Sequence, residues 1–336
     1  MPLHEPIVPS RYARYFLHLA GVRREAVLSA AGLRPEMVED ADIPLTIGQF
    51  EALLSASESV LGRTDLGFEV GRLITVESHS ALGLVMLSQP TLGALLATAA
   101  RYHTLITPCF PVEYRPGTPH CDYVIRVAAS MSQPALHSFL ELHAVAIHRQ
   151  LREVLGAASP VEILVSCPPP AHIGRYQELG PPAIQFSAAA LPEVRLVLPS
   201  RLAARPLPGR TDATAAGLPL LPARESRSYA AWVELMLREA EGIQPTLETL
   251  AGLLGLSART LSRKLAAEGI DLRKLALAVR HERACRMLTE TGFSQAHISQ
   301  CLGFADETGF IRAFRRTAGI SPGQWRNLSE KSKSVL

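Results

Sequence analysis

QPTLETLAGLLGLSARTLSRKLAAEG, residues 244–269, decides how the last third of the chain folds. Thr246 can cap a helix whose inner face is Leu247, Leu250, Ala251 and Leu254, the spacing of a helical apolar stripe. Gly255 supplies the backbone freedom for a sharp turn. Ser257 then caps a second helix that buries Ala258, Leu261 and Leu265 and turns Arg259, Thr260, Ser262 and Arg263 outward. A helix, a glycine turn and a second helix with a polar, basic outer face form the helix-turn-helix pattern. The pattern recurs in FSQAHISQCLGFADETGFIRAFRRTAGISPGQW, residues 293–325. There Ser294 caps a short helix with Ile298, Cys301 and Leu302 inside, and Gly303 turns the chain. A second helix starts near Asp306, anchored by Phe310 and Phe314 one turn apart, with Glu307, Thr308, Arg312, Arg315 and Arg316 on its outer face.

DLRKLALAVRHERACRMLTET, residues 271–291, joins the two units. Its inward face is Leu272, Leu275, Ala276, Val279 and Leu288, with Arg280, Arg283 and Arg286 expected mostly outside. A helix of about 20 residues spans ~30 Å. Successive major-groove faces on one side of DNA lie ~34 Å apart. One rigid helix can therefore hold two reading helices in adjacent grooves.

This segment resembles the DNA-binding domain of the AraC/XylS family of bacterial regulators. The resemblance is carried by LAGLLGLSARTLSRKL at 250–265 and ISQCLGFADETGFIRAFRRTAGISPGQWR at 298–326, and covers about 80 residues. Within the second motif, GF at 303–304, Phe310, RxF at 312–314, Gly319 and SPxxWR at 321–326 sit at the family's spacing. Two positions depart from it: Ser299, where Ala is usual, and Gly309, where a larger residue is usual. The resemblance implies base reading by Arg259, Thr260, Ser262 and Arg263 in the first unit and by Glu307, Thr308 and Arg312 in the second. The chemistry agrees, because Arg can bond two acceptors of guanine, Ser and Thr serve several bases, and Glu accepts from cytosine. Lys264, Arg315 and Arg316 are expected at phosphates, where they add affinity and salt dependence but no sequence preference. The implied partner is double-stranded promoter DNA, and RNA polymerase is a further possible partner.

Charge is divided unevenly along the chain. Residues 1–227 carry 19 Arg against 20 Asp plus Glu, a net −1, whereas residues 228–336 carry 15 Lys plus Arg against 11 Asp plus Glu, a net +4. The mild C-terminal excess permits a polyanionic partner without requiring one. With 47% apolar and 19% charged residues, the composition is that of a soluble globular chain. No apolar run reaches the ~18 residues of a membrane span. The first residues do not read as a secretory signal, so the expected location is cytoplasmic. The five cysteines are scattered with no CxxC pair, as expected of small buried hydrophobes in place of a disulfide framework or zinc site.

Residues 1–203 read as one α+β domain, 204–227 as a Pro/Gly/Ala-rich linker, 228–328 as the all-α double helix-turn-helix domain, and 329–336 as a frayed tail. Helical spacing occurs at 10–31, 46–61, 91–106 and 134–156, and β-like runs at 112–114, 123–127, 161–165 and 194–198. The first domain has no P-loop, GxGxxG, HExxH or GxSxG, so neither catalysis nor a cofactor is expected. His137, His143 and His148 are spaced six and five apart, not the three or four of metal ligands on one helix face. AAGLRPEMVEDADIPLTIGQFEALL at 30–54, DLGFEVG at 65–71 and SALGLVMLSQPTLGALLATAARYHTLI at 80–106 resemble the arabinose-binding-type sensing domain of the same family. That resemblance implies a small-molecule effector, dimerisation, or both, in a homodimeric regulator. Phe110, Tyr114, Tyr123, Arg126 and His103 are candidates for lining an apolar pocket. Two alternatives stay open: a regulator governed by a protein partner without an effector, and an enzyme domain fused to a DNA-binding module.

Overall fold

A computed structural model describes residues 7–39, 44–87, 89–105, 107–156, 160–187, 191–207, 229–240, 244–253 and 256–333. The N-terminal region is α+β. It opens with β1 (Ile7–Pro9), α1 (Ser10–Ala20), α2 (Arg24–Ala30), α3 (Pro35–Glu39), β2 (Pro44–Thr46) and α4 (Ile47–Leu61). The helix expected over 10–31 is broken at Gly21, whose φ of 53° caps α1. Thr46 closes a capping box with Gln49 at the start of α4. Next come α5 (Leu66–Leu73), α6 (Ser80–Leu87), α7 (Leu92–Tyr102), β3 (Val112–Arg115), β4 (His120–Arg126) and α8 (Gln133–Leu155). The region ends with β5 (Glu162–Val165), β6 (Ile184–Phe186), β7 (Glu193–Pro199) and α9 (Ser200–Ala203).

β1 and β2 pair antiparallel, and the larger sheet has the order β3-β4-β7-β5-β6, antiparallel except for β5 with β6. The central helix α8 packs on this sheet with one side and on α5 with another. The α5–α8 contact is close because α5 is glycine-stepped. A Cβ at Gly67 would come within 2.5 Å of the Ser138 carbonyl oxygen, and one at Gly71 within 2.7 Å of the Leu142 carbonyl oxygen. The DLGFEVG segment therefore encodes backbone-to-backbone approach of two helices.

From Tyr229 onward every described element is helical: α10 (Tyr229–Glu239), α11 (Leu247–Leu253), α12 (Ala258–Ala267), α13 (Leu272–Glu290), α14 (Gln295–Cys301), α15 (Glu307–Ala318) and α16 (Pro322–Lys333). The tail expected to fray from 329 is helical through Lys333, and the Ser329 hydroxyl donates to the Trp325 carbonyl at 3.0 Å. Most of the linker expected at 204–227, and the Leu254–Gly255 turn, lie outside the described residues.

The buried apolar residues fall into two clusters. One runs from the N-terminal region through α10, α11 and α12 to Val279 of α13. The other is small and belongs to the second helix-turn-helix unit: Ala284, Met287, Leu288, Ile298, Cys301, Leu302, Phe310 and Phe314. The N- and C-terminal regions meet where α6 packs against α10. They also meet where Gly252 of α11 faces Tyr102, so closely that a Cβ would lie 2.9 Å from the phenol oxygen.

Candidate functional site

Both reading helices are fixed by side-chain caps. Ser257 Oγ accepts from Thr260 N at 3.1 Å and starts α12, whose Leu261 and Leu265 are buried. Asp306 accepts from Gly309 N at 2.6 Å and starts α15, whose Phe310 and Phe314 are buried. Between the units, Gly303 turns at φ 69°, and Phe304 N closes α14 on the Ser299 carbonyl at 2.9 Å.

The expected base readers lie on the outer faces. Arg259, Ser262 and Arg263 of α12 are exposed, and Thr260 is half-buried with its hydroxyl 2.9 Å from Ser257 Oγ. Glu307, Thr308 and Arg312 of α15 are exposed, as are Arg315 and Arg316. Arg312 Nε donates to the Thr308 carbonyl at 3.4 Å, which draws its stem back along the helix. Lys264 is placed differently from the other expected phosphate contacts. Its ammonium sits 4.4 Å from the centre of the Tyr229 ring, a cation–π contact that ties α12 to α10.

The spacer helix corrects one expectation. Arg283, expected outside, is fully buried, and its Nη1 donates to the Ala240 carbonyl at 2.7 Å. Arg280 is half-buried over the Phe304 ring, 4.9 Å from its centre. Arg286 reaches Glu282 at 3.1 Å, and Glu282 also holds Arg238 at 2.6 Å. Arg280, Arg283 and the Arg238–Glu282 pair bind α13 to its neighbours, whereas Arg286 pairs with Glu282 along the helix itself. Helical phase places Arg283 on the apolar stripe, four residues after Val279, and α10, which follows the linker, packs on that stripe. The SPxxWR motif has a structural role too. Arg326 donates to the Leu288 and Phe293 carbonyls at 3.1 and 2.5 Å, satisfying backbone oxygens at and beyond the end of α13. Trp325 packs edge-on against Phe314.

The two departures from the family pattern are accounted for locally. Ser299 is buried, and its hydroxyl donates to the Asp306 carbonyl at 2.9 Å, joining α14 to the cap of α15. Gly309 leaves the Asp306 carboxylate room at that cap: an added Cβ would lie 3.2 Å from Oδ1.

The N-terminal region encloses a cavity of about 70 Å³ between α1, α4–α8 and β4. Its wall is mostly apolar, with Phe50, Ile74, Met86, Phe110, Ile125, Phe139 and Leu142 among the contributors. Tyr12, His79, His103, Thr107, His143 and Gln150 supply the polar groups. His79 meets the Tyr12 hydroxyl at 2.9 Å through Nδ1 and Gln150 Nε2 at 3.0 Å through Nε2. Thr107 Oγ1 lies 2.8 Å from His103 Nδ1, and His143 Nδ1 lies 2.7 Å from the Phe139 carbonyl. Of the five pocket candidates from sequence, His103, Phe110 and Tyr123 line the cavity. Tyr114 does not, and Arg126 is held by Glu113 and Glu193 at 3.0 and 3.1 Å. Tyr12, His79 and Thr107 come from separate segments and His143 and Gln150 from α8, and no local motif marks them.

Burial holds all three cavity histidines below their ordinary titration range, His103 at about 4. These groups bind fewer protons folded than unfolded. The stability they contribute is therefore complete above the unfolded pKa of ~6.5 and is lost as the pH falls toward the folded values. Each adds a slope of at most about 1.4 kcal/mol per pH unit. The N-terminal unfolding temperature is expected to fall between pH 7 and pH 5, and His103→Gln to flatten that fall. An equal pH slope in wild type and variant would remove His103 from the account.

All five cysteines are free. Burial raises the Cys109 thiol to about 12 and the Cys167 and Cys285 thiols to about 11, so none of these three is a reactive thiolate. No described helix is long and apolar enough to cross a membrane.

Two capped reading helices on one spacer helix, behind an α+β domain enclosing a cavity, define a modular DNA-binding regulator. The profile described as the arabinose-binding domain of AraC transcription regulators, N-terminal, matches residues 21–207, and a helix-turn-helix domain profile matches 250–328. The chain belongs to the AraC family of transcription regulators, with an N-terminal effector-binding domain and a C-terminal helix-turn-helix DNA-binding domain. It is 29% identical over 333 residues to the ornithine utilization regulator of Pseudomonas aeruginosa, covering 95% of this chain and 96% of that one. It is also 42% identical over 81 residues, 24% of each chain, to the transcriptional activator NphR of a Rhodococcus species. Among solved structures, the regulator CdpR from Pseudomonas aeruginosa aligns over 94% of this chain and 98% of its own, with 20% identity and a TM-score of 0.46. These relatives and domains are regulators, which sets aside the fused-enzyme alternative.

Proposed function

We propose that the chain reads an asymmetric promoter site through Arg259, Thr260, Ser262 and Arg263 in one major groove and Glu307, Thr308 and Arg312 in the next. Arg315 and Arg316 hold phosphates, while Lys264 steadies α12 against α10. The observation that carries this reading is the pair of capped helices, each presenting an exposed polar face, joined by the unbroken 19-residue α13. In this reading residues 1–203 form the sensing domain, 204–227 the linker and 228–328 the DNA-binding domain. The protein acts in the cytoplasm as a homodimer and contacts RNA polymerase at the promoter.

The effector occupies the histidine-lined cavity. Its signal leaves through α6, which contributes Met86 to the cavity wall and packs on α10. α10 is fastened at both ends to the rest of the DNA-binding domain. Glu268 accepts from Tyr229 N and Ala230 N at 2.9 and 2.8 Å, and Arg283 holds the Ala240 carbonyl. An effector that binds two placements of α6 unequally shifts the DNA-binding domain between them.

The test is Arg263→Ala. It is expected to weaken specific binding by about 1–3 kcal/mol and to relax preference at one base position. Selection from a randomised site followed by titration measures both. Uniform weakening on every sequence would make Arg263 a phosphate contact and overturn its reading role.

A further inference from the structure

We propose that a second cavity, distinct from the histidine-lined one, binds a compact organic cation, its ammonium group seated between the carboxylates of Glu58 and Glu141. The cavity measures about 260 Å³ and lies between the end of α4, the first half of α8 and the loop 167–172. This inference does not depend on where the effector of the first cavity sits.

Glu141 sits on α8 with its side chain only 5% exposed. One of its oxygens, Oε1, accepts from His172 Nε2 at 2.6 Å and from the Tyr176 hydroxyl at 2.7 Å. Among the described residues no donor is bonded to Oε2. Glu58, half-buried, faces the same space from α4. Both carboxyls are raised above the usual carboxylate range, first by burial, and Glu58 also by the charge of Glu141. His172 compensates Oε1 of Glu141 when protonated, but no Lys or Arg lines this cavity, so holding a second carboxylate ionised beside the first requires a further cation. The guanidinium groups of the adjoining ion network are already engaged: Arg63 by Asp65 and Glu69, and Arg175 by Asp65, Glu69 and Glu178.

The rest of the wall selects the kind of cation. No group of three or more His, Cys, Asp and Glu side chains among the described residues is arranged to hold a metal ion. The lining also includes Pro168, Pro169, Pro170 and Phe186, apolar surface that suits a short carbon chain. The volume falls just under the roughly 300–1,000 Å³ of ordinary small-molecule sites, which keeps the ligand compact.

The experiment uses the full chain and four probes: n-butylamine, 1,4-diaminobutane, n-butanol and sodium butyrate, at matched ionic strength and a pH near 8. Calorimetric titration and thermal unfolding are read for wild type, Glu58→Gln, Glu141→Gln and His103→Gln. The expected result is binding and stabilisation by the amines alone. Affinity should fall at least about tenfold, roughly 1.4 kcal/mol, in each glutamine variant of the two glutamates, and stay unchanged in His103→Gln. Glu58→Gln keeps the test decisive if Glu141→Gln unfolds, because Glu58 is the less buried partner. An equal response to n-butanol, retained amine binding in Glu58→Gln, or no response to either amine would overturn the proposal. Loss of amine binding in His103→Gln would move the amines to the first cavity and overturn it as well.

Discussion

Phe310→Ala is expected to melt the second helix-turn-helix unit while leaving the first one folded. Phe310 is 1% exposed and lies at the centre of an eight-residue cluster separate from the main core. Its ring meets Phe304 at 5.6 Å and Phe314 at 5.9 Å, centre to centre, and Phe314 in turn packs on Trp325. Truncating a buried Phe to Ala costs about 3–5 kcal/mol, a large share of what so small a cluster can contribute. Neighbours cannot collapse into the gap without breaking the aromatic stack. Amide exchange is expected to show lost protection across α14–α16 and retained protection in α12. The footprint on DNA should shrink to the site of the first unit. A full-length footprint with wild-type exchange would mean that the second unit does not rest on this cluster.

Arg283→Ala is expected to be the most damaging substitution at a charged position in the DNA-binding region. The side chain is completely buried, and its Nη1 bonds the Ala240 carbonyl just past the end of α10. A hydrogen bond to a charged group contributes roughly 1.5–3 kcal/mol. Loss of the packed stem adds a further cost of about 1 kcal/mol. A total near 2–4 kcal/mol is therefore expected in thermal or denaturant unfolding. Arg263→Ala, on an exposed face, is expected to change stability by under about 0.5 kcal/mol. A surface-like effect from Arg283→Ala would show that α10 is not fastened to α13 through this side chain.

How much of this was legible varies with the range over which each feature is encoded. The C-terminal helices are legible because each carries its own instructions: Ser257 and Ser294 cap as expected, the helix expected to start near Asp306 is capped by it, and Gly303 and Gly319 take left-handed turns. In the N-terminal region the long helices α4 and α8 and strands β3, β4, β5 and β7 follow their periodicity. α6, SALGLVML, is harder to read, because a segment without a polar face has no periodic contrast. β6 is three residues long. Arg283 was expected outside because it is charged, yet it stands four residues after Val279 and seven after Ala276, in phase with the apolar stripe, and the docking of α10 buries it with that face. The cavities are the least legible. Tyr12, His79 and Gln150 meet through hydrogen bonds spanning 67 and 71 positions. Glu141 meets His172 and Tyr176 across 31 and 35. No local pattern records contacts of that range.

The spacer α13 is an unbroken helix of 19 residues, capped by Asp271 at one end and closed by Arg326 at the other. Such an element fixes an angle as well as a distance. Each added residue would advance the second unit by ~1.5 Å and rotate it by ~100°. A single insertion would swing α15 out of the groove, and only insertions near whole turns, such as seven residues for ~10.5 Å, would restore its facing. Under the proposed two-groove reading, the operator spacing is quantised by helical phase. Lineages that change that spacing must do so in steps of turns, or by altering the DNA in place of the protein.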